Sequence, residues 1–458
     1  MLYLQNRERA KAGWFSNSFS GNAFDRNSKS RLAMWVTSAF LVESYLAKSF
    51  IFAGNDPTTL HYAVSIVLSV GMFLLFCLDS NAYRGRFFLL FIAGGAIAWT
   101  LISSYQTGYA LNYIASVTFG FLILSCFFWF PYVCYRAGVE TWRLLLVVLG
   151  IPASASLPMF LALPDMALDT LSGRLAGTFI SVAVACNVFF YVSVLAAFAL
   201  KLTNKRKFQI LYLSVCLISL ICLYFTRTRS SLLEAFVCIF IVCVTSAHGK
   251  IIFRRLFASI AFVAILVFAT ALGVLTLDGD LNSEISGFRL ENGITSSRND
   301  NWAFGVERIV KQPLFGEGML TKQTQGGQAQ VNLEASDNYN AIYDPHSLVL
   351  SLGVQGGMPL LLAVMFLIFS PLIAIFRIRG PSGVLGSPEF VLCSVHLCTM
   401  IPAGGDLTSF GNSVDRIFWI LLGALSLQAA QHTSRQQALK GGSPSLRRHM
   451  AAWRTRTG

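Results

Sequence analysis

Apolar stretches long enough to cross a lipid bilayer recur along the whole chain. An α-helix needs about 20 residues to span the hydrocarbon core, and twelve stretches of the sequence come near this length. Because a polar backbone crosses hydrocarbon only as a helix or a closed barrel, the pattern predicts an all-α fold, a polytopic transmembrane helical bundle. The predicted spans are 32–53, 59–79, 87–105, 110–134, 143–163, 176–200, 208–225, 231–247, 252–276, 356–376, 387–404 and 412–430.

The composition agrees with a membrane protein and excludes a single water-soluble core. Only 12% of the 458 residues are charged, whereas soluble domains average about 25%. All ten cysteines lie in apolar stretches, so we expect packing residues and neither a disulfide framework nor a zinc site. Residues 1–31 are polar and basic, and we expect no cleavable signal peptide there.

Basic residues are distributed unevenly between the two sides of the predicted bundle. With a cytoplasmic N-terminus, most of the 35 Lys and Arg residues fall on the cytoplasmic side, as the positive-inside rule requires. The net charge of +13 therefore reflects topology and does not indicate nucleic-acid binding. Both termini are then cytoplasmic. The chain divides into an N-terminal segment, nine spans, an outward loop, a re-entry helix with three spans, and a basic tail, at 1–31, 32–276, 277–345, 346–430 and 431–458.

The outward connection 277–345 is the longest polar segment inside the chain. A connection of this length is uncommon unless it serves as a lid or a binding element. Within it, residues 299–311 are predicted to form a short helix, because Trp302, Val306 and Ile309 recur at helical spacing and would share a face.

A second short helix is predicted at the end of this loop. It begins at Asp344-Pro345-His346, with Asp344 as the N-cap, and runs to about Leu352. His346 is the only histidine in the predicted outer segments. In a first helical turn the neutral imidazole is favoured, so His346 could act as a general base. The alternative is a solvated or capping histidine without a catalytic role.

Two arginines occupy a tight connection between predicted spans on the outer face. Arg227 and Arg229 lie within Thr226–Ser231, on the side that otherwise avoids arginine. They either extend toward lipid phosphates and loop acids or bind a phosphate group bidentately. Arg174, in Ser172–Thr178, lies on the same face, and the long loop could add two more cations, Arg289 and Arg298.

Together these elements resemble the bacterial O-antigen ligase and O-antigen/exopolysaccharide polymerase superfamily. That family has about twelve spans and a large outward loop before the last few. The resemblance covers roughly 170–365, and Ser347 stands where the family usually has Asn. The matching segments are Ser172–Thr178, Thr226–Ser231, Arg298–Trp302, Gln312–Gly318 and His346–Leu348 with Gly353, Gly356 and Gly357.

The resemblance implies a GT-C-like fold and a metal-independent, inverting glycosyl transfer at the outer face of the bacterial inner membrane, without a cofactor. The donor would be an undecaprenyl-diphosphate-linked oligosaccharide. Further partners would be an acceptor glycan, the lipid bilayer, a chain-length regulator and an export complex.

The resemblance also implies roles for individual residues. Arg298 and Arg229, or Arg227 in place of Arg229, would hold the diphosphate, and His346 would position or deprotonate the acceptor hydroxyl. The candidate substrate-binding residues are Arg227, Arg174, Arg289 and Trp302.

Three functions remain open at this point. A polymerase and an O-antigen ligase share this chemistry and differ in the acceptor, which is another lipid-linked repeat unit or lipid A core. The polar extensions at both ends and the aromatic-rich spans favour the polymerase. The third alternative is a lipid-oligosaccharide carrier without catalytic activity.

Overall fold

The computed structural model describes residues 67, 83–107, 110–169, 173–179, 181–203, 205–245, 298–319, 347–403, 407–408 and 413–441. These residues form helices and no strand, which confirms the all-α class. The helices are α1 (Phe87–Thr107), α2 (Ala110–Leu122), a π-helical segment (Ile123–Trp129), α3 (Phe130–Arg136), α4 (Thr141–Ala162), α5 (Pro164–Ala167), α6 (Val182–Leu202), α7 (Arg206–Phe225), α8 (Arg229–Val244), α9 (Arg298–Lys311), α10 (Leu348–Val384), α11 (Pro388–Ala403) and α12 (Ser413–Gly441).

Six helical stretches in the described part of the chain are long and apolar enough to cross a membrane. They are Phe87–Gln106, Asn112–Arg136, Thr141–Ala162, Val182–Leu202, Arg206–Phe225 and Leu348–Val384. Each overlaps a span predicted from the sequence, so a multi-pass membrane protein is confirmed and the number twelve is not.

The other six predicted spans either correspond to helices of a different length or lie largely outside the described residues. The stretch predicted at 231–247 is the 16-residue helix α8, and that at 387–404 is the equally short α11. The stretch predicted at 412–430 falls in α12, which runs on to Gly441. Two more predicted spans, 32–53 and 252–276, lie outside the described residues, and of the span 59–79 only residue 67 is described.

Helix α6 lies at the centre of the packed helices. It is buried along most of its length and packs against α4, α7 and α8. The helix begins at Val182 and not at the predicted residue 176, because Ser181 is its N-cap, with a side-chain oxygen that accepts the Val184 N–H. The residues just before it form a loop, which becomes part of the candidate site.

Arg86 packs against the π-helical segment. A π-helix shifts the backbone hydrogen-bonding register and leaves carbonyls available to other donors. Arg86, which lies in the connection between the predicted spans 59–79 and 87–105, is buried. Its guanidinium donates to the carbonyls of Phe127 at 3.2 Å and Phe128 at 3.1 Å. The backbone of Phe127 also contacts Gly423 of α12, so closely that a Cβ at Gly423 would collide with the Phe127 carbonyl.

We expect the Arg86→Ala variant to lose considerable stability, because it deprives two buried carbonyls of their donor, at about 1–3 kcal/mol each. The matched control is Arg84→Ala, since Arg84 is exposed two residues away and should change stability by no more than about 0.5 kcal/mol. Thermal unfolding of the two detergent-purified variants measures the difference. Equal melting temperatures would contradict this role of Arg86.

Candidate functional site

The connection between α7 and α8 places two arginines at the start of a helix. Helix α7 ends at Phe225 and α8 begins at Arg229, so only Thr226, Arg227 and Thr228 turn the chain. Arg227 has a φ of +53°, a left-handed conformation that costs a non-glycine residue roughly 1–2 kcal/mol. A glycine at this position would adopt the same conformation without strain. An arginine held there therefore indicates a function for its side chain.

Arg174 joins a second loop to this turn. Its Nε donates to the carbonyl of Thr226 at 2.6 Å, and its Nη2 donates to the hydroxyl of Thr228 at 2.6 Å. The backbone adds a further bond, from the Leu175 N–H to the carbonyl of Phe225 at 3.2 Å. Arg174 thus braces the turn that carries Arg227 and Arg229.

The loop 173–179 is itself fixed against α4. Gly177 has a φ of +60°, and a Cβ there would lie 2.5 Å from the Ser156 side chain. The hydroxyl of Ser156 accepts the Thr178 N–H at 3.1 Å. Only glycine allows this approach, which gives Gly177 of the Ser172–Thr178 segment a structural reason.

The helix predicted at 299–311 is confirmed, since α9 spans Arg298–Lys311. The predicted shared face is wrong in one position. Val306 is half exposed, whereas the side chain of Arg308 is buried and forms an ion pair with Glu317 at 2.8 and 2.5 Å. The apolar spacing misplaced the face because a neutralised arginine can be buried where a lone one cannot.

The segment that follows α9 docks on a break in α10. Gly356 and Gly357 have non-helical dihedral angles there. The Glu317 N–H donates to the carbonyl of Val354 at 2.7 Å, and the Met358 N–H donates to the carbonyl of Pro313 at 2.8 Å. The Pro-Leu-Phe-Gly-Glu-Gly motif therefore supplies hydrogen bonds that the interrupted helix lacks.

Helix α1 closes the other side of this junction. The indole N–H of Trp99 lies 2.9 Å from the carbonyl of Gly356 and 3.2 Å from that of Leu314. Its ring stacks on Phe315, with centroids 5.2 Å apart, and the hydroxyl of Ser103 donates to the Phe315 carbonyl. Sequence reasoning missed both α1 residues, because a Trp and a Ser in an apolar span carry no local sign of such a partner.

The start of α10 differs from the prediction. Ser347, and not Asp344, is the N-cap, and its side-chain oxygen accepts the Leu350 N–H. The same hydroxyl donates to the carbonyl of Ile401 at 2.7 Å, so α10 is anchored to the end of α11. His346 immediately precedes this cap in sequence and, like Arg289, lies outside the described residues.

The start of α8 and the start of α10 lie at the same end of the bundle. Glu234, five residues into α8, contacts His396 at 2.7 Å. His396 lies five residues before Ile401, the anchor of Ser347. With a rise of 1.5 Å per residue, Arg229 and Ile401 each lie about 7.5 Å along their own helices from this contact. The two helices run in opposite directions, since Glu389 at the start of α11 lies near Glu140, at the end of α4 away from Ser156. Arg229 and Ile401 therefore occupy similar levels.

The structure thus brings Arg174, Arg227 and Arg229 together and leaves part of the predicted site untested. Helix α9 begins at Arg298, whose side chain is outside the described structure. Trp302 is partly buried, and its indole N–H has no hydrogen-bond partner among the described residues. Within the same residues, no group of three or more His, Cys, Asp or Glu could hold a metal ion.

We expect Gly357→Ala to destabilise the protein more than Gly380→Ala. Both glycines have a positive φ, but only at Gly357 would a Cβ collide with the carbonyl of Leu314, whereas Gly380 faces open space. The control thus isolates the backbone cost of about 1–2 kcal/mol, and the clash at Gly357 adds about 1–3 kcal/mol. Thermal unfolding measures both, and an equal loss would contradict the docked junction.

Comparison with known proteins places this region in a family. A family model described as O-Antigen ligase matches residues 214–365. A comparison with curated proteins found no match. The matched region runs from α7 through the α8 turn, α9 and the broken part of α10. Over these residues the match supports a membrane glycosyltransferase of the O-antigen ligase or polymerase superfamily.

Proposed function

We propose that the protein is a polysaccharide polymerase of the bacterial inner membrane. It joins undecaprenyl-diphosphate-linked oligosaccharide repeat units into exopolysaccharide or O-antigen at the outer face. In this proposal both termini are cytoplasmic, and the segment 277–345 faces outward. The alternative is an O-antigen ligase, which transfers the glycan to lipid A core.

The observation that carries this proposal is the charge at the start of α8. A helix N-terminus bears a partial positive charge and normally has acidic residues nearby, but the first turn of α8 has none. Instead it begins with Arg229, directly after the strained Arg227. Arginine side chains bind phosphate oxygens bidentately, and a helix N-terminus favours an anion, so this end of α8 is suited to bind an anionic diphosphate.

The proposed reaction divides between two groups of residues. The acceptor hydroxyl attacks the anomeric carbon of the donor, the bond from this carbon to the diphosphate oxygen breaks, and the diphosphate leaves with the electron pair. Arg229 and Arg298 stabilise the negative charge of this leaving group, with Arg227, Arg289 and Trp302 as further contacts. His346 accepts the proton of the hydroxyl. Arg174 supports the turn through its bonds to Thr226 and Thr228.

Loss of either proposed diphosphate-binding arginine should remove most of the activity. A hydrogen bond to a charged group contributes about 1.5–3 kcal/mol, so we expect Arg229→Ala and Arg298→Ala to lower the transfer rate about 10- to 100-fold. The measurement is the length of glycan made by purified protein from the lipid-linked donor. Arg143→Ala is the control, since Arg143 is exposed at the opposite end of the bundle, and normal chain lengths in the other two variants would refute the proposal.

The contribution of Arg227 can be separated from the fold of the turn. Glycine adopts a φ of +53° without strain, so Arg227→Gly should keep or raise the melting temperature. If the guanidinium binds the diphosphate, the Michaelis constant for the donor should rise in the same variant. An unchanged Michaelis constant would contradict a diphosphate contact by Arg227, and Arg229 would then be the contact from this turn.

His346→Ala distinguishes a transferase from a carrier. A transferase should lose turnover while it still binds the lipid-linked donor, whereas a carrier should change little beyond weaker binding. The control is His432→Ala, a histidine near the far end of α12. Full turnover in the His346 variant would overturn its assignment as the base.

The choice of acceptor separates the polymerase from the ligase, and a chelator tests the role of metal. We expect the purified protein to lengthen the lipid-linked repeat unit when no other acceptor is present, and to do so equally well with EDTA. Transfer only after lipid A core is added would establish the ligase. Inhibition by EDTA that added metal reverses would refute metal independence.

A further inference from the structure

A buried polar cluster lies beneath the candidate site, within the helices. Glu234 of α8 and His396 of α11 have side chains only 3% and 4% exposed, and Oε2 of Glu234 lies 2.7 Å from Nδ1 of His396. The hydroxyl of Thr399 donates to the other carboxylate oxygen. The imidazole is enclosed by the rings of Phe190, Tyr191 and Phe418, with centroids 5.5 to 6.1 Å away.

Packing alone does not account for this pair. Removing two ionisable groups from water is costly, and well-packed apolar residues of the same volume usually stabilise a fold at least as well. Inside a membrane the cost is higher, and ionisable residues there generally serve a function. What the pair provides, and apolar side chains cannot, is a directional hydrogen bond between two particular helices.

These two helices carry the two sides of the candidate site. Glu234 lies five residues after Arg229 on α8, and His396 lies five residues before Ile401 on α11. The carbonyl of Ile401 accepts the hydroxyl of Ser347 at 2.7 Å, and Ser347 directly follows His346. A shift between α8 and α11 would therefore change the distance between the arginine turn and Ser347, the first described residue of this segment.

We propose that Glu234 and His396 are positioning residues for the transfer reaction. They hold the arginine turn of α8 at a fixed separation from the start of α10, so that the donor diphosphate and the proton acceptor are correctly placed at the same time. Neither residue touches substrate; both act through Arg229 and the Ser347 anchor. This inference rests on the function proposed above.

The test replaces the pair without destabilising the bundle. The double variant Glu234→Leu with His396→Leu keeps the volume and removes the directional bond, so we expect a melting temperature close to that of the wild type and at least a tenfold loss of kcat. The exchange variant, Glu234→His with His396→Glu, restores the bond in reverse and should recover part of the activity. Ser193→Ala is the control, because its buried hydroxyl bonds only within α6.

Amide hydrogen exchange provides a measurement that does not depend on activity. In the double leucine variant, exchange should become faster at 226–233 and at 347–352 and remain unchanged in α4. Unchanged exchange and kcat, or a loss of kcat that only follows a loss of melting temperature, would overturn the positioning role. If the wild type shows no transfer, the proposed function fails, and the exchange rates still decide whether the pair holds the two helix ends together.

Discussion

A helix that is interrupted in an apolar environment must have its exposed backbone groups satisfied, and this requirement organises the described structure. At Gly356 and Gly357 α10 departs from helical geometry, and in hydrocarbon each unsatisfied carbonyl or N–H would cost several kcal/mol. The residues after α9 supply the missing partners through Glu317 and Pro313. The segment after α9 is therefore fixed to α10 by backbone bonds, and the position of α9 depends on the break in α10.

The same principle explains why the arginine turn is rigid. The connection between α7 and α8 is three residues long, and Arg174 occupies its carbonyl and hydroxyl acceptors. Loop 173–179 is in turn held by Ser156 on α4. A turn fixed from two sides can keep Arg227 in a conformation that a free loop would abandon, and it can present charged groups without rearrangement when an anion arrives.

Much of the fold could be predicted from the sequence because an apolar stretch of about 20 residues is long enough to cross a bilayer as a helix. The six long helices follow from the length of the apolar stretches, and α9 follows from apolar periodicity. The predictions were wrong where a tertiary contact determined the buried face of a helix or its N-cap. Arg308 is buried because Glu317 reaches it, and Ser347 became the cap of α10 in preference to Asp344, with a hydroxyl that also bonds to α11.

The sequence by itself determined the helical membrane class, the arginines of the α7–α8 connection and the motifs that mark the family, because these depend on residue type and local spacing. Only the tertiary structure decided that Arg174 braces that connection, that Trp99 and Ser103 close the break in α10, and that Glu234 meets His396. These contacts join residues far apart in the chain, and no local pattern encodes the partner of a hydrogen bond between separate helices.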